Sequence, residues 1–323
     1  MSTQIQDPTK SPSPAKARKK VTVRTYQAKH DAGEPITMVT AYDYPTAQLA
    51  EDSGIDSILV GDSLGMVVLG HDTTLSVTMD EMIHHAKAVR RGASTPLLVG
   101  DLPFMSYQVG PEDALRNAGR FLQEAGMDAV KLEGGRKVVP QVRAIVGAGI
   151  PVMGHVGLTP QSIHALGGWR VQGRTPAAAR ELLADALALQ AAGCFSIVLE
   201  SVPERLATYV AQRLDIPTIG IGAGPNTSGQ VLVIHDLLGL FDRFQPKFVK
   251  RYALLGADAR TALGAYRDEV AARAFPNEEH SYTMTDEAWS AFLAECAEGE
   301  AASSAPAGAQ TDDPTEASLN GRT

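Results

Sequence analysis

From Ile36 onward, short apolar or β-branched runs alternate with stretches whose apolar positions recur at helical spacing. The runs predict strands at Ile36–Ala41, Ser57–Gly61, Leu97–Asp101, Asp128–Glu133, Ile150–His155, Phe195–Glu200 and Ile216–Ile221, with an eighth near Gln230–His235 or Lys247–Val249. Helix signals fill the gaps. Thr78-Met79-Asp80-Glu81 has the form of a capping box, in which hydroxyl and carboxylate each satisfy an unpaired helix amide. Pro111, Pro140, Pro176 and Pro203 stand where first helical turns begin, and Gly126 and Gly193 where helices stop. Seven or eight strand-then-helix units predict an α/β fold with a parallel sheet, and eight such units close into a (β/α)8 barrel. An open doubly wound sheet competes with it, but no glycine fingerprint follows the first strand. The Gly-rich turn Gly220-Ile221-Gly222-Ala223-Gly224 comes after the seventh strand and lacks the dinucleotide-binding spacing.

Composition narrows the class. The chain has 323 residues, 44% apolar and 20% charged, with a net charge of −8, the profile of a soluble globular protein. The expected organisation is a single barrel domain over residues 21–296 between two disordered tails. Residues 1–20 mix Ser-Pro repeats with Lys16, Arg18, Lys19 and Lys20, and residues 297–323 carry Glu298, Glu300, Asp312, Asp313 and Glu316 among Ala, Ser and Pro. An acidic chain whose one basic run lies in a tail is not expected to bind nucleic acid. No apolar run reaches the roughly 18 residues of a membrane span, and the N-terminus lacks a secretion-signal core. Two cysteines, Cys194 and Cys296, are too few for a disulfide framework or a Cys-rich zinc site, so a cytoplasmic setting is expected.

Several strands end in ionisable residues: Asp62 just after the second, Asp101 on the third, Glu133 on the fourth, His155 on the fifth and Glu200 on the sixth. Barrel strands converge at their C-terminal ends, so residues far apart in sequence meet at one mouth. On the fourth strand, Lys131 and Glu133 are two apart and share a face. A single strand-end carboxylate is ordinarily a helix cap or loop hydrogen-bonder. Four together are different: carboxylates about 5 Å apart repel by roughly 3 kcal/mol per pair at an effective dielectric of about 20, so the cluster needs protons or a cation. Lys131 alone does not balance it. All-oxygen ligands select Mg²⁺ or a similar hard ion over zinc. Such an ion could bind a 2-oxo acid through its carboxylate and keto oxygens, polarise the carbonyl and leave one carboxylate to take a proton from the neighbouring carbon. Spacing does not say which.

The chain further resembles the ketopantoate hydroxymethyltransferase family from about Tyr26 to about Tyr282. The matching segments include Thr40–Asp43, Val60–Met66, Gly70–Asp72, Asp101–Met105, Val130–Gly135, Gly154–Gln161, Val171–Arg174, Leu199–Glu200, Ile219–Gly224 and Glu278–Ser281. The resemblance implies a TIM barrel enzyme that moves a one-carbon unit from 5,10-methylenetetrahydrofolate to 3-methyl-2-oxobutanoate. It gives 2-dehydropantoate and tetrahydrofolate on the route to pantothenate and coenzyme A. It also implies Mg²⁺ as the metal and a homo-oligomer, commonly a decamer. By matching motif, Asp62, Asp101 and Glu133 serve the metal, Asp62, Ser63, Asp101 and Lys131 contact the oxo acid, Glu200 accepts the proton, and His155 stands behind these groups. One departure is Ser228-Gly229-Gln230, where the family often has Asp-Gly-Gln. A Mg²⁺-dependent lyase or mutase acting on a 2-oxo acid is the alternative enzyme; a barrel kept only as a scaffold would be expected to have lost site carboxylates, and none is lost.

Overall fold

A computed structural model describes residues 18–303, with side chains to residue 299. Eight parallel strands close into a barrel in chain order. They are β1 (Ile36–Thr40), β2 (Ser57–Val60), β3 (Leu97–Asp101), β4 (Ala129–Lys131), β5 (Val152–Gly157), β6 (Ser196–Glu200), β7 (Thr218–Ile221) and β8 (Gly229–Leu232). Closure is made by β1 on β8, in register from Ile36 opposite Gly229 to Val39 opposite Leu232. The eighth strand is therefore the first of the two expected candidates, shortened at its C-terminal end. Lys247–Val249 is not a strand. Strand β5 starts two residues later than expected, since Pro151 offers no N–H to a ladder, and runs on through Gly157.

Period-two alternation sorts the strand residues into two cores. Met38, Leu59, Val99, Ala129, Met153, Val198, Ile219 and Val231 fill the barrel interior. Their neighbours Val39, Ile58, Leu98, Val130, Val152 and Ile197 face outward against the helices. Helix Pro111–Ala125 lays Phe121 on β3 at Gly100, where an added Cβ would strike the ring. The predicted caps hold: Thr78 and Glu81 form the capping box of helix Met79–Gly92, and Gly126 ends its helix at φ 66°. At the N-terminal end of the barrel, helix Val23–Asp31 carries the fully buried Tyr26, whose ring meets Phe195 edge-on at 5.8 Å.

Of the described residues, 18–259 form one compact unit and 260–303 another. The expected barrel segment 21–296 thus spans both, and its end falls inside helix Asp286–Ser303. Lys20, expected to be tail, is ordered and donates to Pro96 O at 2.7 Å and Asp128 Oδ2 at 2.6 Å. Residues 297–303, also expected to be disordered tail, instead end helix Asp286–Ser303, while the tail calls on residues 1–17 and 304–323 lie outside the described residues. In the second unit Phe275 packs on Tyr266 (5.7 Å) and His280 (5.1 Å). No helix among the described residues is long and apolar enough to cross a membrane. Cys194 is buried, as its place before β6 suggested, and Cys296 is exposed.

Candidate active site

Two residues beyond an inward-facing core residue, each strand offers its next inward position near the C-terminal end. After Val99 that residue is Asp101, after Ala129 it is Lys131, after Met153 His155 and after Val198 Glu200. Asp62 and Glu133 lie two residues beyond the ends of β2 and β4, so Glu133 stands just past the fourth strand rather than on it as expected. All six line one cavity of about 630 Å³ at the mouth, together with Ser63. The residues expected from distant stretches of sequence are therefore brought together.

The cluster is dry and crowded. Asp62, Asp101, Lys131, Glu133 and His155 are each at most 4% exposed. Lys131 Nζ lies 2.8 Å from Asp101 Oδ1 and 3.9 Å from Glu133 Oε1, so one ammonium faces both carboxyl groups. The backbone N–H of Asp62 donates to Asp101 Oδ2 at 3.2 Å. Burial, reinforced by Asp62 and only partly opposed by Lys131, pushes the Asp101 carboxyl up to about 7. Glu133 is driven well above the carboxylate range by burial and by Asp62 and Asp101, against Lys131. Burial lowers the Lys131 pKa, but Asp101, Glu133 and Asp62 outweigh it, and the amine is held charged. One cation thus faces three buried acids, with Glu200 a fourth.

His155 links this group to Glu200. Its Nδ1 is 3.3 Å from Lys131 Nζ and its Nε2 3.3 Å from Glu200 Oε2. Lys131 can only donate, so Nδ1 must accept, which leaves the ring proton on Nε2, toward the Glu200 carboxylate. Burial and Lys131 hold the imidazole pKa well below its ordinary value, and the ring is neutral. Burial, opposed by Lys131, raises Glu200 to about 7. Gly157 fixes the approach of β5 to β6 here: its φ is +100°, and a Cβ would collide with the Glu200 carbonyl, which accepts from Leu158 N at 2.8 Å.

Three buried polar residues at the mouth lay inside or beside the matching segments without being recognised as part of the site. Tyr42 is fully buried and its hydroxyl lies 2.8 Å from Ser63 Oγ. Gln161 donates to Asp62 Oδ2 at 2.9 Å through Nε2 and to Glu133 Oε2 at 3.0 Å through its backbone N–H. Tyr107 donates to Gln161 Oε1 at 2.7 Å. On helix Met79–Gly92, His84 is exposed, whereas His85 is half-buried and its Nδ1 bonds Tyr42 O at 2.6 Å. Ser228, the departure from the family pattern, lies at the opposite end of the barrel and bonds His30 Nδ1 at 2.9 Å.

The donor set suits a hard divalent cation in part. Asp62 and Asp101 adjoin and offer oxygen donors, and such an ion needs only one or two carboxylates beside water and substrate. Among the described residues, however, no three His, Cys, Asp or Glu are placed to hold one ion. Lys131 Nζ is within 4 Å of both Asp101 and Glu133, two of the acids expected to serve such an ion.

A closed parallel barrel with an ionisable cluster at its C-terminal mouth defines a (β/α)8 enzyme, since barrel chemistry is housed at that end. The sequence profile of the ketopantoate hydroxymethyltransferases matches residues 20–278. The 3-methyl-2-oxobutanoate hydroxymethyltransferase of Moorella thermoacetica is 62% identical over 265 residues, 82% of this chain and 98% of that protein. The protein of the same name from Heliobacterium modesticaldum is 59% identical over 269 residues, 83% of this chain and 98% of that one. The chain belongs to the ketopantoate hydroxymethyltransferase family. Among solved structures, a phosphoenolpyruvate phosphomutase from Streptomyces platensis subsp. rosaceus superposes with a TM-score of 0.54 at 17% identity, covering 87% of this chain and 99% of that one. That likeness shows the shared barrel alone.

Proposed function

We propose that this enzyme transfers a hydroxymethyl group from 5,10-methylenetetrahydrofolate to 3-methyl-2-oxobutanoate, forming 2-dehydropantoate and tetrahydrofolate. Mass balance requires one water for the new hydroxyl. The observation that carries the reading is a partly buried carboxylate raised to about 7, Glu200, lining the same cavity as Asp62, Asp101 and Lys131. A base poised near neutrality is suited to removing a weakly acidic proton next to a carbonyl. Asp62 and Asp101 would hold Mg²⁺, with Glu133 reached through water. When bound, the ion would polarise the keto group and acidify C3 of the oxo acid. Lys131 and Ser63 orient the oxo acid. Glu200 takes the C3 proton, and the carbanion so released bonds to the folate-derived carbon as that carbon's two bonds to the folate nitrogens break, water supplying the hydroxyl and the C3 proton and the second water proton going to those nitrogens. His155, neutral, lies with Nε2 3.3 Å from Glu200 Oε2 and stands beside that carboxylate.

The partners are small molecules, with neither nucleic acid nor membrane, in the cytoplasm. The working form is a homo-oligomer, in keeping with helix Leu255–Ala271, which buries none of its side chains and exposes Leu263, Tyr266 and Val270. Sedimentation velocity of the full chain checks this, and a monomer would count against it.

The central test is deuterium wash-in at C3 of 3-methyl-2-oxobutanoate, followed by NMR with and without Mg²⁺. Metal-dependent wash-in is expected, and product only when the folate is added. Folate-independent cleavage of the oxo acid would favour a 2-oxo acid lyase or mutase instead. Asp101→Ala is expected to weaken Mg²⁺ and oxo acid together in calorimetric titration, and normal metal affinity would contradict the assignment of Asp101.

A further inference from the structure

Gln161 occupies a position that a merely space-filling side chain could not. It is 4% exposed and does not line the cavity, yet its polar groups are engaged on every side. Nε2 donates to Asp62 Oδ2 and to Leu102 O, both at 2.9 Å. Oε1 accepts from Tyr107 OH at 2.7 Å and Gln108 Nε2 at 3.2 Å. The backbone N–H holds Glu133 Oε2 at 3.0 Å. Because Leu102 O can only accept, the amide has one permitted orientation, and both of its protons are committed. Tyr107, 1% exposed, extends the lock: its hydroxyl accepts from Glu133 N at 3.2 Å and lies 3.0 Å from Glu133 O.

One residue therefore holds one oxygen of each of two carboxylates that come from different strands. Asp62 keeps its second oxygen for a ligand, and Glu133 keeps Oε1, which lies 3.9 Å from Lys131 Nζ and 3.7 Å from His155 Nδ1. Among the described residues no other hydrogen bond fixes which Asp62 oxygen faces the cavity, and a carboxylate that rotates freely must be ordered each time it binds. We infer that Gln161 is a positioning residue: held by Tyr107, it orients the Asp62 and Glu133 carboxylates for the cation and the oxo acid. This rests on the reading of Asp62 as a metal and substrate group.

The test is calorimetric titration of Mg²⁺, alone and then with 3-methyl-2-oxobutanoate, into wild type, Gln161→Met and Tyr107→Phe. Circular dichroism and metal-free melting verify the fold of each. Gln161→Met keeps the length and removes the side-chain bonds, and is expected to weaken Mg²⁺ about 10- to 100-fold, the usual range for groups that orient metal-holding side chains. Tyr107→Phe removes one hydroxyl, should remain folded, and is expected to shift affinity in the same direction by less. In an Asp62→Asn background, Gln161→Met should cause little further loss, because it acts through Asp62. If wild type binds no Mg²⁺, the reading of Asp62 fails and the inference with it. If wild type binds and both folded variants bind within twofold of it, the inference alone is overturned. An undiminished loss in the Asp62→Asn background overturns it too, and should Gln161→Met not fold, Tyr107→Phe decides.

Discussion

The two ends of this barrel carry similar residues and treat them in opposite ways. At the N-terminal end each acid has its own base and backbone donors: Lys29 Nζ meets Asp56 at 2.8 Å, Thr37 N and Oγ1 donate to the same carboxylate at 2.9 Å, and Lys20 and Leu98 N share Asp128. Burial raises the Asp56 pKa, but these bonds outweigh it and hold it below its ordinary value. At the C-terminal end several acids share Lys131, and Asp101 and Glu200 rise to about 7. Paired acids stabilise a fold, while acids left short of partners are ready to bind a cation or take a proton. The difference teaches where the protein is stabilised and where it reacts.

The sharpest way to break this comparison is Glu200→Gln. Removing the base while keeping its shape is expected to slow C3 proton exchange by about 10²- to 10⁴-fold, read by the NMR wash-in assay, with oxo acid binding retained. Unchanged exchange would mean that the mouth's strained acid is not the base. In wild type the same exchange should rise about tenfold per pH unit below 7 and level above it, since only the ionised carboxylate accepts the proton.

The same substitution should make the protein more stable. With a folded pKa raised from 4.5 to about 7, Glu200 is protonated in both states below pH 4.5 and has no effect there. As pH rises to 7 the folded state retains a proton that the unfolded state has lost, so stability falls, by about 3 kcal/mol in full. Urea denaturation at pH 8 should show Glu200→Gln gaining most of that amount, and at pH 4 almost none. A loss at pH 8 would contradict the raised pKa.

The N-terminal end should respond in the opposite sense. Lys29→Met leaves Asp56 buried without its base and is expected to lose about 1–3 kcal/mol at pH 7, with wash-in unaffected. Asp56, whose folded pKa is lowered, contributes its stability above the unfolded value and loses it as pH falls below about 4. Asp56→Asn should therefore flatten the acid limb of the stability profile. The smallest effect is expected at the surface: Arg136 pairs with Glu181 and Asp185 but is solvent-exposed, so Arg136→Ala should leave the midpoint nearly unchanged in the same denaturation experiment.

Much of the active-site cast was legible because strand chemistry is local. Asp101, Lys131, His155 and Glu200 each follow an inward apolar residue by two, a relation written in adjacent positions. Gln161 and Tyr107 were not recognised, because their meaning lies in partners 99 and 26 residues away, which no local pattern encodes. Lys20 was misread for the same reason: a basic residue beside a Pro-rich tail looks solvated until Asp128, 108 residues on, is placed next to it.

By itself the sequence determined the alternation of strands and helices, the inward face of each strand and the chemical kind of residue that would crowd one mouth. These follow from periodicity and side-chain chemistry, which belong to neighbouring residues. Tertiary structure decided the rest: that Lys131 reaches both Asp101 and Glu133, that His155 lies between it and Glu200, and that Gln161 holds two carboxylates. Those relations depend on how strands register across a closed sheet and on how far burial removes water, and both are set by the barrel as a whole.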